Sequence, residues 1–278
     1  MVETFVEIDW IQAHANDPAL RIVDARSRPH GAPDLAAPTG AEQYAAGHIP
    51  RAIHLDYAHE LADPATPYAT RVAPAELFAR TLSERGIGDG HTIVAYDDGD
   101  VPYAARFVWM CRYYGHDDVH VMGGGFKAWR AAGLPVTTDV PMFPAAVFTP
   151  RERPRLRASR EEVLAAAEGR SDVQLLETQR DKTYALRDRD IANAKRLSGS
   201  RLLEDERGGR VAPKAKLDTL VDELDLDRSK RTIVTCGSGV SASGSYLALL
   251  EAGFTDLAVY DGSWLEWSHD HLPTVPKP

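Results

Sequence analysis

Residues 235–244 read TCGSGVSASG and hold Cys236, one of only two cysteines in the chain. They lie between the apolar run IVT and the helix-patterned SYLALLEAG, so the backbone leaves a strand, turns through glycines and serines, and enters a helix. Amides in such a loop converge as a nest and add to the positive end of the helix dipole, which stabilises a thiolate at the loop's start. A free cysteine is more often a small buried residue. Here the Gly-Ser loop is too polar for core, and strand–loop–helix junctions are where open α/β sheets place ligands. Cys236 is therefore read as a nucleophile, whereas Cys111, inside FVWMCRYYG, is read as packing.

The same loop argues against one chemistry. A cysteine phosphatase needs an arginine six positions beyond its nucleophile to clamp phosphate bidentately; Ala242 stands there, and Thr235 precedes the cysteine where phosphatases place histidine. The pair of histidines in HDH, 269–271, flanks an aspartate near a Pro-rich tail and reads as surface rather than as a metal site.

The elements that position Cys236 occur twice. HTIVAYDDGDVPYAARFVWMCRYYGHDDVHVMGGGFKAWRAAG (91–133) lines up with RTIVTCGSGVSASGSYLALLEAGFTDLAVYDGSWLEWSHD (231–270), with Trp129 on Trp267 and Gly124 on Gly262. An offset of about 138 makes each copy domain-sized rather than a solenoid repeat. Each copy reads strand, turn-rich loop, helix, strand: TIVAY or TIVT, then AARFVWMCRYYG or ASGSYLALLEAG, then DVHVM or DLAVY. Earlier come another strand (RIVDA, VQLLE) and another helix (PAELFARTLSERG, KLDTLVDELD). Strands alternating with helices predict parallel βαβ units, an α/β sheet covered on both faces. The 278 residues suit two such domains: 1–138, a linker over 139–157, and 158–278, the last opening with a capping box of Ser159 and Glu162.

Composition narrows the partners. A net charge of -9 repels a nucleic-acid backbone or an anionic membrane, and the one dense basic run, RERPRLRASR (151–160), reads as solvated linker. The acidic start, MVETFVEIDWIQAHA, lacks the pattern of a secretory signal, and no run is apolar enough to span a membrane. The expectation is a cytoplasmic protein whose cysteines stay thiols.

CGSGVSA, the following YDGSWLEW, and in the first half VDAR, GHIPRA and GGFKAWRAAGLPV together resemble the rhodanese superfamily, in its two-domain form of the 3-mercaptopyruvate sulfurtransferase type. The resemblance spans nearly the whole chain and implies two tandem rhodanese-like domains, of which the second is catalytic. Set along the TIV strands, Asp97 falls in the place of Cys236, so the first domain is the non-catalytic copy. The implied chemistry is covalent: Cys236 takes a sulfur from a small donor as a persulfide and passes it to cyanide or to a thiol such as thioredoxin or a low-molecular-weight thiol. Amides of Gly237, Gly239, Val240, Ser241 and Ala242 would hold the anionic sulfur, and no metal or organic cofactor is implied. Ser238 matches the serine and His48 the histidine of a Ser–His–Asp relay, in which either Glu42 stands in for the aspartate or the relay is incomplete; Tyr103 matches a tyrosine that reaches the substrate.

The resemblance breaks at LLETQRDKTYALRDRDIANAK. Glu177, Thr178 and Gln179 stand where relatives carry D-S/A-R, and RDIANA stands where they carry GHIPG. Arg180 and Lys182, and beyond them Arg187 and Arg189, are the basic residues able to replace the arginines that clamp the donor's carboxylate. Mercaptopyruvate is the favoured donor because Gly237 and Ser238 follow the cysteine where thiosulfate-using relatives place basic residues. Thiosulfate, another organic thiol or a polysulfide are the alternatives, and a catalytically silent binding module is the competing class.

Overall fold

The computed structural model describes residues 3–28, 37–68, 70–99, 102–204 and 209–277. The chain divides into two compact units, Met1–Glu152 with Arg207–Arg210, and Arg153–Glu206 with Val211–Pro278.

In the first unit β1 (Phe5–Val6), α1 (Ile8–His14), β2 (Leu20–Asp24), α2 (Gly40–Ala46), β3 (Ala52–His54), α3 (Ala75–Glu84), β4 (Thr92–Tyr96), α4 (Pro102–Tyr113), β5 (Val119–Met122) and α5 (Gly125–Ala131) follow in order. The five strands form one sheet, β1-β5-β4-β2-β3, parallel throughout. The second unit has α6 (Arg160–Ala167), β6 (Gln174–Glu177), α7 (Asp181–Tyr184), β7 (Arg189–Ile191), β8 (Ala194–Arg196), α8 (Lys214–Glu223), β9 (Thr232–Thr235), α9 (Val240–Glu251), β10 (Leu257–Val259), α10 (Ser263–His269) and β11 (Thr274–Pro276). Its sheet, β10-β9-β6-β8, is again parallel and has the same winding. A two-stranded antiparallel ribbon, β11-β7, stands beside it. The place of β1 is taken by a single parallel bridge from Arg157 to Val259.

The all-parallel arrangement explains the sequence pattern. Both faces of such a sheet are covered, so its strands are apolar runs without alternation: all five residues of β2 and all four of β9 are buried. One cluster packs Ile22, Val94, Tyr96, Phe126 and Trp129, and its counterpart packs Leu175, Ile233, Ala258, Tyr260 and Trp267. The repeat extends to detail, since the indole N–H of Trp129 donates to the Pro135 carbonyl and that of Trp267 to the Pro273 carbonyl, both at 2.8 Å.

The expected capping box at Ser159 is half formed. Ser159 Oγ accepts the Glu162 N–H at 3.2 Å, but the Glu162 carboxylate turns to Arg231 at 2.9 Å, because a guanidinium is a stronger partner than one orphan amide. The reciprocal box is instead at Thr39 and Glu42, opening α2.

Candidate active site

β9 ends at Thr235, whose carbonyl accepts the Thr178 N–H at 2.7 Å and the Thr178 hydroxyl at 3.0 Å from the end of β6. Cys236 is the first residue beyond the sheet. Its N–H donates to Ser263 Oγ at 3.1 Å; that hydroxyl donates to the Tyr260 carbonyl at 2.8 Å and lies 4.0 Å from Cys236 Sγ. The carbonyls of Cys236 and Gly237 accept the N–H groups of Trp264 (3.0 Å) and Leu265 (2.9 Å), in the first turn of α10. In a trans peptide N–H and C=O point opposite ways, so the amides of Gly237 and Ser238 are turned away from α10.

Gly239 then caps α9 with φ 80°. A Cβ there would fall 2.6 Å from the Asp261 carbonyl oxygen, so the turn requires glycine. A helix leaves its first four N–H groups without intrahelical partners; here they belong to Gly239, Val240, Ser241 and Ala242, at the positive end of a twelve-residue helix. Cys236 is 1% exposed, Val240 and Ala242 are buried, and Gly237, Ser238 and Ser241 are the half-exposed residues of the loop.

The first unit shows what this architecture holds. The Asp97 carbonyl accepts the Phe126 N–H at 2.7 Å as the Cys236 carbonyl accepts that of Trp264, and Tyr96 O accepts Ala25 N–H as Thr235 O accepts Thr178 N–H. These bonds make Asp97 the structural counterpart of Cys236. A letter-by-letter overlay of the TIV triplets would set Tyr96 there; the hydrogen bonds move the match by one residue. The Asp97 carboxylate accepts from the N–H groups of Gly99 (2.8 Å), Tyr103 (3.1 Å) and Ala104 (3.3 Å). The same loop-and-helix start thus closes on a built-in anion in the first unit.

His48, also of the first unit, is wholly buried, stacked on Tyr44 with ring centroids 3.7 Å apart. Its Nδ1 lies 2.9 Å from the Tyr44 carbonyl and its Nε2 3.1 Å from that of Asp139. Both ring nitrogens therefore meet backbone carbonyls. Glu42, the stand-in for the relay acid, is a helix cap: its carboxylate accepts the Thr39 N–H at 2.7 Å and hydroxyl at 3.0 Å, and these bonds hold it below the usual carboxylate range. Tyr103 is stacked on Tyr57 and lines a cavity of about 300 Å³ with Arg26, Ser27, Arg28, Gln43 and Asp98.

In the rewritten segment, Arg180 caps α7 and Lys182 is exposed on it. Arg189 is exposed on β7 and bonded to Thr274. The basic residue that turns inward is Arg187, whose side chain is 7% exposed. Its Nη2 lies 2.5 Å from Glu177 and 3.1 Å from Asp190, and its Cζ is 4.6 Å from the ring centres of both Tyr184 and Trp264. Arg26 does the same in the first unit, pairing with Asp24 at 2.6 Å with its Cζ 4.1 Å from the Phe126 ring. Arg187 is thus the counterion of a buried carboxylate, and its charge is already matched. Burial still pushes the Glu177 carboxyl above its ordinary range against the pull of Arg187.

Three site features were not singled out by sequence reasoning: the Ser263 hydroxyl beside the sulfur, the Glu177–Arg187 pair, and the contact of Gln179 with Gly237. Ser263 could have been found from the repeat, which sets it opposite Gly125. Both have left-handed backbone, φ 50° and 58°, and a serine held there calls for an explanation.

The rhodanese-like domain family matches residues 7–132 and again 159–270. The chain is 29% identical to the 3-mercaptopyruvate sulfurtransferase of Escherichia coli strain K12 over 98% of both chains. It is 30% identical to the thiosulfate sulfurtransferase of Bos taurus over 98% of this chain and 93% of that one. Among solved structures, SseA from Escherichia coli, described as a 3-mercaptopyruvate sulfotransferase with the rhodanese fold, superposes with a TM-score of 0.85 at 28% identity, over 94% of this chain and 99% of that one.

Proposed function

This chain belongs to the rhodanese-like family and is a sulfurtransferase, and from that premise we propose that Cys236 carries the transferred sulfur as a persulfide. The observation that carries the reading is Asp97: where the second unit has a sulfur, the first has a carboxylate accepting one amide hydrogen from the loop and two from the first turn of α4. An anion is what this junction stabilises, and in the second unit the anion is the thiolate of Cys236 or its persulfide.

The Cys236 thiolate attacks the donor's sulfur. With 3-mercaptopyruvate the C–S bond breaks and its electron pair leaves with pyruvate enolate, which takes up the proton of the thiol; with thiosulfate the S–S bond breaks and sulfite leaves. An acceptor thiolate or cyanide then attacks the outer sulfur and Cys236 departs as thiolate, so no external oxidant or reductant is needed. Amides from Gly237 through Ala242 stabilise the negative sulfur, and the half-exposed Ser238 and Ser241 meet the donor. We favour 3-mercaptopyruvate because Gly237 and Ser238 add no cation for a dianion. Tyr103, which lines a cavity, is retained as a ligand-contacting residue of the first unit. His48 is left out of the relay, since both its nitrogens are engaged. A low-molecular-weight thiol or a thioredoxin-like dithiol is the proposed acceptor. Among the described residues no helix is long and apolar enough to cross a membrane.

The test is mass spectrometry of the Cys236 peptide after incubation with 3-mercaptopyruvate or thiosulfate. A gain of about 32 Da, one sulfur, that disappears on adding a thiol is expected, and Cys236→Ser should show neither the gain nor transfer. Full transfer by Cys236→Ser would refute the mechanism.

A further inference from the structure

Two positions beyond the strand-end carboxylate, the first unit has Arg26, and its side chain is fully engaged. It pairs with Asp24, donates to the Gly47 carbonyl at 2.8 Å and stacks on Phe126. The counterpart in the second unit is Gln179, whose own N–H is held by Glu177 Oε1 at 2.7 Å. Because Arg187 supplies the ion pair and the stacking from further along the chain, the side chain of residue 179 is released from the scaffold.

That side chain lies against the sulfur loop. A Cβ built on Gly237 would sit 3.2 Å from Gln179 Nε2, 3.4 Å from Cδ and 3.6 Å from Oε1. The carboxamide therefore lies across the residue that follows Cys236. Gln179 Oε1 is buried and has no hydrogen-bond partner among the described residues, which is destabilising unless something arrives to fill it. In the first unit the same relation holds: Arg26 and Asp98, the counterparts of Gln179 and Gly237, line one cavity. Of the cations nearby, Arg187 is paired through Nη2 with Glu177 and Asp190, and Arg196 with Asp181 at 2.7 Å.

We propose that the Gln179 carboxamide is a specificity-determining group at the sulfur site, a neutral hydrogen-bonding wall that selects a singly charged organic thiol over a dianionic donor. The proposal rests on Cys236 being the sulfur-bearing residue. The amide contributes donor and acceptor to the incoming molecule but no charge, so residue 179 itself offers nothing to match an added negative charge on the donor.

The experiment alkylates Cys236 with iodoacetate, an anion, and iodoacetamide, its neutral counterpart, in the full chain and in Gln179→Glu, Gln179→Lys and Gln179→Met, read on the Cys236 peptide. A carboxylate at position 179, beside Gly237, should lower the iodoacetate-to-iodoacetamide rate ratio by about ten-fold, Gln179→Lys should raise it, and Gln179→Met should leave it within about three-fold of the parent ratio. Gln179→Glu should also raise KM for thiosulfate more than for 3-mercaptopyruvate. A ratio unchanged within about two-fold in whichever charged variant folds overturns the proposal, as does a Cys236 that reacts with neither reagent. If the unaltered protein accepts sulfur from no donor, the sulfurtransferase reading fails instead, and the alkylation ratio still decides the role of Gln179.

Discussion

Ser263 offers a test in which the smaller residue is the more stable one. It is fully buried with φ 50°, a backbone that L side chains rarely adopt, and its hydroxyl accepts the Cys236 N–H at 3.1 Å. Ser263→Ala keeps the strained backbone and leaves that amide without its partner, a loss of about 1–3 kcal/mol. Ser263→Gly loses the same hydrogen bond but relieves a left-handed penalty of about 1–2 kcal/mol, offset by about 0.5–1 kcal/mol of added chain entropy in the unfolded state. At the middle of both ranges glycine should therefore exceed alanine by about 0.75 kcal/mol, or about 2–4 °C in the melting transition of a domain of this size. Gly125, at φ 58° in the counterpart position, shows that the fold accepts glycine there. Scanning calorimetry of both variants measures the difference, and persulfide loading should fall alike in both because each lacks the hydroxyl 4.0 Å from the sulfur. An alanine variant as stable as the glycine variant would refute the reasoning, since it would mean the backbone at 263 carries no strain.

Arg187→Leu removes the counterion of the buried Glu177 and should cost about 3–5 kcal/mol at neutral pH. Burial raises the Glu177 carboxyl. A raised carboxyl contributes stability that is full below its unfolded value and lost as pH rises through the folded one, so urea midpoints of Arg187→Leu should fall with rising pH and those of Arg187→Leu with Glu177→Gln should not. Gly239→Ala forces a Cβ to 2.6 Å from the Asp261 carbonyl at φ 80° and should cost at least about 1 kcal/mol. It should also slow sulfur loading of Cys236, both measured on the purified variant.

Much of this was legible because the relevant signals are local. The strand RIVDA becomes β2 and TIVT becomes β9, since an apolar run ended by a turn carries its own boundaries. Cys236, Gly239 and the start of α9 lie within five residues, so the loop's composition alone announced a strand–turn–helix junction. The half-formed cap at Ser159 shows where locality fails: Glu162 had the right spacing, and Arg231, distant in sequence, took its carboxylate.

The wall of the site was illegible for the same reason, and its logic emerges from comparing the two units. In the first, the carboxylate, arginine and ring partner are Asp24, Arg26 and Phe126; in the second they are Glu177, Arg187 and Trp264. Sequence spacing registers this as a lost D-x-R signature, whereas in space the guanidinium has moved from two residues after the acid to ten and kept its function. A buried carboxylate cannot be left alone, so with glutamine at 179 the cation comes from elsewhere, and Arg187 pairs with Glu177 from the segment that follows α7. The consequence lies on the other side of the strand end: with the ion pair supplied by Arg187, the side chain of residue 179 is released from the scaffold and lies against Gly237, the residue that follows Cys236.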